Sequence, residues 1–210
     1  MIAQLTVIAG PMFAGKTSSL IRRIVATLEE ESRPAVILTP AIDSRYGRGA
    51  IVTHDGVARP ATPIACEEDV FAAVAEAAAR TDGPVHVFVD ETNFLDPPHF
   101  NGEFHMVVHT LLLAGHDVTC CGLDTDWRGH PFETTARLLA MADTVEKLTA
   151  RCAMTGLPAQ KTYKKLVDGD RIALGSADLY EARANSAWEG AERNESGAAN
   201  FAGASSRKSA

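Results

Sequence analysis

The residues with the clearest chemical meaning come early in the chain. Gly10-Pro11-Met12-Phe13-Ala14-Gly15-Lys16-Thr17 fills every fixed position of a phosphate-loop pattern. Glycines let such a loop curl until successive backbone N–H groups face a β-phosphate. The N-terminus of the helix that follows adds favourable dipole charge. Lys16 is then expected to reach the β- and γ-phosphates, and the Thr17 hydroxyl to ligate Mg²⁺. A second constellation follows the apolar run Val85 to Val89, which delivers Asp90 and Glu91 at its end. Strand alternation predicts that the two carboxylates face different sides. Asp90 would hold a water on the metal, and Glu91 would take the proton from an attacking hydroxyl. The plain alternatives are a chance glycine turn and a solvated strand end. The strand–loop–helix context weighs against the first, and the loop upstream weighs against the second.

These groups need a scaffold, and the apolar pattern supplies one. Leu5 to Ala9 is a short apolar run ending at Gly10. Ser18 to Glu31 carries apolar residues at helical spacing. Strand-like runs are expected at Ala35 to Thr39, Val85 to Val89, Asp117 to Leu123 and Thr144 to Leu148. Helices are expected at Glu67 to Arg80, His105 to Ala114 and Thr134 to Met141. Alternating strands and helices predict an α/β fold of the P-loop NTPase type, a mainly parallel sheet with flanking helices. Ligands of such sheets sit at the carboxyl ends of the strands, here Gly10, Pro40, Asp90 and Asp124. The pattern changes near Cys152, and Arg171 to Leu174 reads as half of a hairpin. The expected organisation is a nucleotide-binding domain over 1–150, a small appended subdomain over 151–184 and a disordered tail over 185–210. That tail is rich in Ala, Ser, Gly, Asn and Glu and has little to bury.

Composition narrows the partners. The chain has 210 residues, 46% of them apolar and 22% charged, as expected of a soluble globular protein. Its formal charge of −7, with no basic patch, argues against a nucleic-acid polymer as partner. No apolar run is long enough to span a bilayer, and Met1 to Ala9 has no basic n-region, so a cytoplasmic protein without membrane contact is expected. The four cysteines Cys66, Cys120, Cys121 and Cys152 lack framework spacing and read as reduced, buried thiols. Cys120 and Cys121 are expected to point to opposite faces of one strand. His105 and His109 lie four apart on an expected helix, but without a third ligand they read as surface or capping residues.

Several blocks in register carry a resemblance. The loop 10–17, Asp43-Ser44-Arg45-Tyr46-Gly47, Thr53-His54-Asp55-Gly56, Asp90-Glu91-Thr92-Asn93-Phe94, the run Gly122 to Phe132, Glu146 to Ala150 and Gly175 to Glu181 are similar to type II thymidine kinases. The resemblance covers about residues 3–182. It implies ATP-dependent transfer of the γ-phosphate to the 5′-hydroxyl of thymidine, in an enzyme that is usually a homotetramer. It implies Glu91 as catalytic base, and Asp43 and Arg45 near the phosphates and metal. With the phosphate loop and Asp90 to Asn93, these form the expected nucleotide-binding set. Phe94, Leu123, Trp127 and Phe132 would line the thymine pocket. Thr162 and the backbone of Ile172, Ala173, Leu174, Gly175 and Ser176, closed by Tyr180, would form a lasso over the nucleoside. An apolar base suits aromatic and aliphatic walls, and a covering loop excludes water from the phosphoryl group.

The chain departs from the family at its lasso. The family's structural zinc is held by two ligand pairs, which align here with Cys152 and Thr155 and with Ala184 and Ala187. A closed zinc site needs four N, S or O ligands, so no structural zinc is expected. Asn93, Leu95 and Trp127 stand where the family usually has Gln, Phe and Phe. These changes leave open a P-loop kinase or ATPase with another small acceptor, and a non-catalytic nucleotide sensor.

Overall fold

A computed structural model describes residues 2–43, 49–53, 55–165 and 178–188. Its centre is a six-stranded sheet. The strands are β1 (Leu5–Ala9), β2 (Ala35–Pro40), β5 (Thr62–Ile64), β6 (His86–Val89), β7 (Asp117–Gly122) and β8 (Thr144–Lys147). The spatial order is β5-β2-β6-β7-β1-β8, and every neighbouring pair is parallel. A short antiparallel pair, β3 (Ala50–Val52) and β4 (Ala58–Pro60), sits between β2 and β5 in sequence. The expected mainly parallel α/β architecture is therefore observed.

Parallel strands joined by helical crossovers are covered on both faces, and their sequences are apolar almost throughout. Period-two alternation divides the side chains between two cores. Val7, Val87 and Cys120 pack on one face with Val70 of helix α2 (Glu67–Thr81), Val107 of α3 (Phe104–Leu113) and Leu138 of α4 (Glu133–Met141). Ile8, Phe88 and Cys121 pack on the other with Leu20, Ile21 and Ile24 of α1 (Lys16–Val25). Cys120 and Cys121 thus fall on opposite faces, as alternation requires. Cys66 corrects the expectation of buried thiols, because it is half-buried at the N-terminus of α2. There Asp69 accepts the N–H groups of Ala65 and Cys66 at 2.8 and 3.2 Å, which closes the first turn.

The first helix also differs from the sequence reading. It starts at Lys16, two residues early, and after Val25 widens into a π-turn over Ala26–Glu30. The Glu31 N–H bonds the Ala26 carbonyl at 3.0 Å. Beyond β8 the chain builds small antiparallel pairs: β9 (Ala150–Arg151) with β10 (Pro158–Ala159), and β11 (Lys161–Lys164) with β12 (Tyr180–Arg183). The expected hairpin at Arg171 to Leu174 lies outside the described residues. The expected tail begins too early at Asn185. Asn185–Ala187 forms a 3₁₀ turn, and the Trp188 indole N–H bonds Thr162 at 3.1 Å, so the first four tail residues belong to the fold. Among the described residues no helix is long and apolar enough to cross a membrane.

Candidate active site

The phosphate loop leaves the carboxyl end of β1 and enters α1, as its motif demands. Gly15 is the N-cap at φ 77 and has open space beside it, so its left-handed backbone rather than crowding calls for glycine. Phe13 also lies at positive φ, 64°, which costs a non-glycine residue about 1 kcal/mol or more. Its packing against the alanine cluster of the appended subdomain offsets that cost. Lys16 folds back along the loop and its Nζ donates to the Pro11 carbonyl at 2.8 Å.

Asp90 lies beside this loop, at the end of β6. It is 4% exposed, and its carboxylate accepts the Glu91 N–H at 3.0 Å and hydrogen bonds from Thr17 and Cys121. Burial and the neighbouring Glu91 carboxylate push the Asp90 pKa well above the usual carboxylate range. Two oxygen groups, the Thr17 hydroxyl and the Asp90 carboxyl, therefore meet beside a second carboxylate, a hard-oxygen donor set suited to Mg²⁺. Glu91 leaves the strand by a different device from the one expected. The strand ends at Val89, and Glu91 sits at φ 51 in the left-handed region, heading a 3₁₀ turn over Thr92–Phe94. The separation of the two acids comes from this kink rather than from alternation within a strand.

Thr92 and Asn93 bond to the end of β7 and the residue after it. Both are fully buried: Thr92 Oγ1 donates to the Cys121 carbonyl at 3.2 Å, and Asn93 Oδ1 accepts the Leu123 N–H at 2.8 Å. Their side chains lock the turn carrying Glu91 onto β7. Asp43 is half-buried just after β2, while Arg45 and the segment 172–176 lie outside the described residues.

The expected base-binding residues come from the ends of β6 and β7. Phe94, Trp127 and Phe132 are buried and Leu123 is half-buried. Trp127 is carried by a tight turn in which Asp126 Oδ1 accepts the N–H groups of Arg128 and His130, both at 2.9 Å. Lys164 of β11, itself 4% exposed, holds its ammonium 5.5 Å from the Trp127 ring. The appended subdomain also reaches the phosphate loop, where Thr162 Oγ1 accepts the Met12 N–H at 3.1 Å. Tyr180 is buried on β12 opposite Lys164.

A phosphate loop, an acid pair and an aromatic wall now stand together at the carboxyl ends of β1, β6 and β7. A family model described as thymidine kinase matches residues 3–188. The chain belongs to the thymidine kinase family. A relative named thymidine kinase from Pyrobaculum aerophilum is 37% identical over 186 residues, which span 85% of this chain and 95% of the relative.

Within this family fold, the four positions aligned with zinc ligands do come together. Cys152, Ala184 and Ala187 join Ala150, Ala159 and Ala182 in an apolar cluster, with Phe13 and Ala14 packed against it. Hydrogen bonds to its sulfur, the Thr155 side chain foremost and then the Ala184 backbone, bring the Cys152 thiol down to about 7. One thiol, one hydroxyl and two methyl groups do not make the four-donor set of a structural zinc. Among the described residues no group of three His, Cys, Asp or Glu is placed to hold a metal. Sequence reasoning missed several partners here. Lys147 pairs with Asp124 at 2.8 Å, joining the ends of β8 and β7, and Glu146 holds Ser19 and Arg23 of α1 at 3.0 and 2.9 Å. A charged residue closing a strand was the available signal for both.

Proposed function

We propose that this chain phosphorylates the 5′-hydroxyl of thymidine with the γ-phosphate of ATP, giving dTMP for DNA synthesis. The observation that carries the reading is the hydrogen bond from Thr17 to buried Asp90, which sets the acid pair against the phosphate loop. The backbone N–H groups of Gly10 to Thr17 and the Lys16 ammonium bind the phosphates and stabilise charge on the moving phosphoryl group. Thr17 and Asp90 would hold Mg²⁺, which neutralises phosphate charge when bound. Asp43 and Arg45 act near the same phosphates. Glu91, held out of the strand, takes the proton from the acceptor hydroxyl. Phe94, Leu123, Trp127 and Phe132 grip the base. Thr162, the 172–176 backbone and Tyr180 cover it and keep water from the phosphoryl group. The alanine-rich lasso base takes no structural zinc, and the active species is a cytoplasmic homotetramer.

One observation favours a shifted acceptor preference. The buried Trp127 Nε1–H has no hydrogen-bond partner among the described residues. An unpaired buried donor costs about 1–3 kcal/mol, so an acceptor atom on a bound base would be rewarded there. ADP release with Mg²⁺ and ATP, measured with thymidine, deoxyuridine and deoxycytidine, tests both readings. Thymidine-dependent release upholds the first, and a stronger response to another nucleoside upholds the second. ATP binding without stimulation by any nucleoside would sink both and leave a sensor.

A further inference from the structure

Trp188 lies outside every motif of the sequence, yet its three contacts reach two separate parts of the site. Its Nε1–H donates to the Thr162 carbonyl at 3.1 Å. Its ring lies against Gly129, where an added Cβ would come within 2.8 Å of the indole. The Lys161 ammonium stands 5.3 Å from the ring centroid. Lys161 and Thr162 belong to β11, whereas Gly129 belongs to the Asp126 turn that carries Trp127. Buried Thr162 in turn accepts the Met12 N–H of the phosphate loop at 3.1 Å. One indole therefore joins the acceptor wall to β11, and β11 is keyed to the phosphate loop.

We propose that Trp188 is a positioning residue for phosphoryl transfer, holding β11 and the 126–130 turn together over the phosphate loop; this rests on the kinase reading above. Removing the ring frees the Gly129 side of the turn and unpairs the Thr162 carbonyl in one step. The aromatic wall then drifts from the phosphate loop, and small misplacements of reacting groups cost large factors in rate. Water gains access to the γ-phosphorus. It attacks in place of the 5′-hydroxyl, breaks the bond to the ADP oxygen and releases ADP with inorganic phosphate instead of dTMP.

The test uses the full chain and compares wild type with Trp188→Ala, Trp188→Phe and Gly129→Ala. Thymidine KM, ATP KM and inorganic phosphate released per dTMP are measured, together with amide hydrogen exchange. For Trp188→Ala, thymidine KM rises about tenfold, ATP KM changes far less, and phosphate per dTMP increases. Exchange quickens at 126–130 and 161–164 and stays slow in β1, β6 and β7. Trp188→Phe keeps an aromatic ring but loses the N–H and part of the indole's reach toward Gly129, and falls between. Gly129→Ala, which crowds the indole at a φ of +88, moves the readings the same way without altering Trp188. Unchanged thymidine KM and phosphate ratio in Trp188→Ala would overturn the proposal. So would faster exchange throughout the sheet with equal loss of both substrates, because Trp188 would then merely stabilise the fold. Should Trp188→Ala not fold, the Phe and Gly129 variants carry the same decision. A wild type that never phosphorylates thymidine defeats the kinase reading, and the exchange comparison still decides the role of Trp188.

Discussion

Asp90 and Glu91 are adjacent, yet their surroundings set them different tasks. Asp90 is buried and bonded to Thr17, whereas Glu91 is half-buried and turned out by a left-handed backbone. Glu91→Gln keeps the shape of the turn and removes the base. Its kcat should fall on the order of 10²–10⁴ while ATP affinity holds, and steady-state kinetics with a nucleotide-binding titration would show this. A drop in ATP affinity with kcat intact would assign Glu91 to nucleotide binding instead. Asp90→Asn tests the neighbour through stability. Because its pKa is raised in the fold, Asp90 favours the folded state when protonated, and that contribution is lost as pH rises through the raised value. Asn removes the buried charge, so the ligand-free variant should melt higher at neutral pH while losing activity. Each kcal/mol would appear as about 2–4 °C in a domain of this size. A lower melting point would show that the hydrogen bonds at Asp90 outweigh its desolvation.

At the scale of elements, the site depends on how closely the turn after β6 approaches β7. Gly122 makes that approach possible: an added Cβ would stand 2.5 Å from Thr92 Oγ1 and 3.1 Å from the Asn93 nitrogen. Gly122→Ala must push the turn away, costing about 1–3 kcal/mol, and the displacement should reach Glu91. Its denaturant midpoint should fall and its kcat with it; a stable but inactive variant would separate the two effects. Five of the six sheet strands were legible, β1 and β2 ending where their apolar runs meet Gly10 and Pro40, whereas β5 (Thr62–Ile64) was not among the expected strands. The phosphate loop was legible too, a local motif whose partners are its own neighbours. The left-handed Glu91 was not, because its cause is a packing contact with β7 about thirty residues away. Nor was the burial of Lys164, or the contact of Trp188 with Gly129, for the same reason. The alanines at 184 and 187 were read as lost ligands, but only the fold shows them closing a core with Phe13.

The molecule as a whole carries a pH dependence at the amino ends of the central strands β6 and β7, opposite the site. His86 stacks on Phe88 at 4.1 Å, and its Nε2 meets Thr119 Oγ1 at 2.9 Å. Burial, reinforced by the Arg33 charge and only partly countered by Asp117, pushes its pKa down to about 4. Beside it, Asp117 accepts the Gln4 N–H at 2.6 Å and pairs with Arg33. Burial works against the Asp117 carboxylate, but the Gln4 N–H and Arg33 outweigh it and hold its pKa low. Both groups act in one direction. A depressed folded pKa means that the unfolded chain binds the proton first, so stability present above the unfolded value is lost as pH falls. For His86 the window runs from about 6.5 down to about 4, and the full shift corresponds to at most about 3 kcal/mol. Urea midpoints should therefore carry a His86 component that declines from pH 6.5 to pH 5, set against the opposite contribution of Asp90 in the same interval. His86→Gln, which keeps a polar group toward Thr119 but cannot take up this proton, should flatten that decline while leaving nucleotide binding at pH 7.5 unchanged. An equal pH slope in wild type and variant would show that His86 does not carry this dependence and would place it in other groups that titrate in the interval.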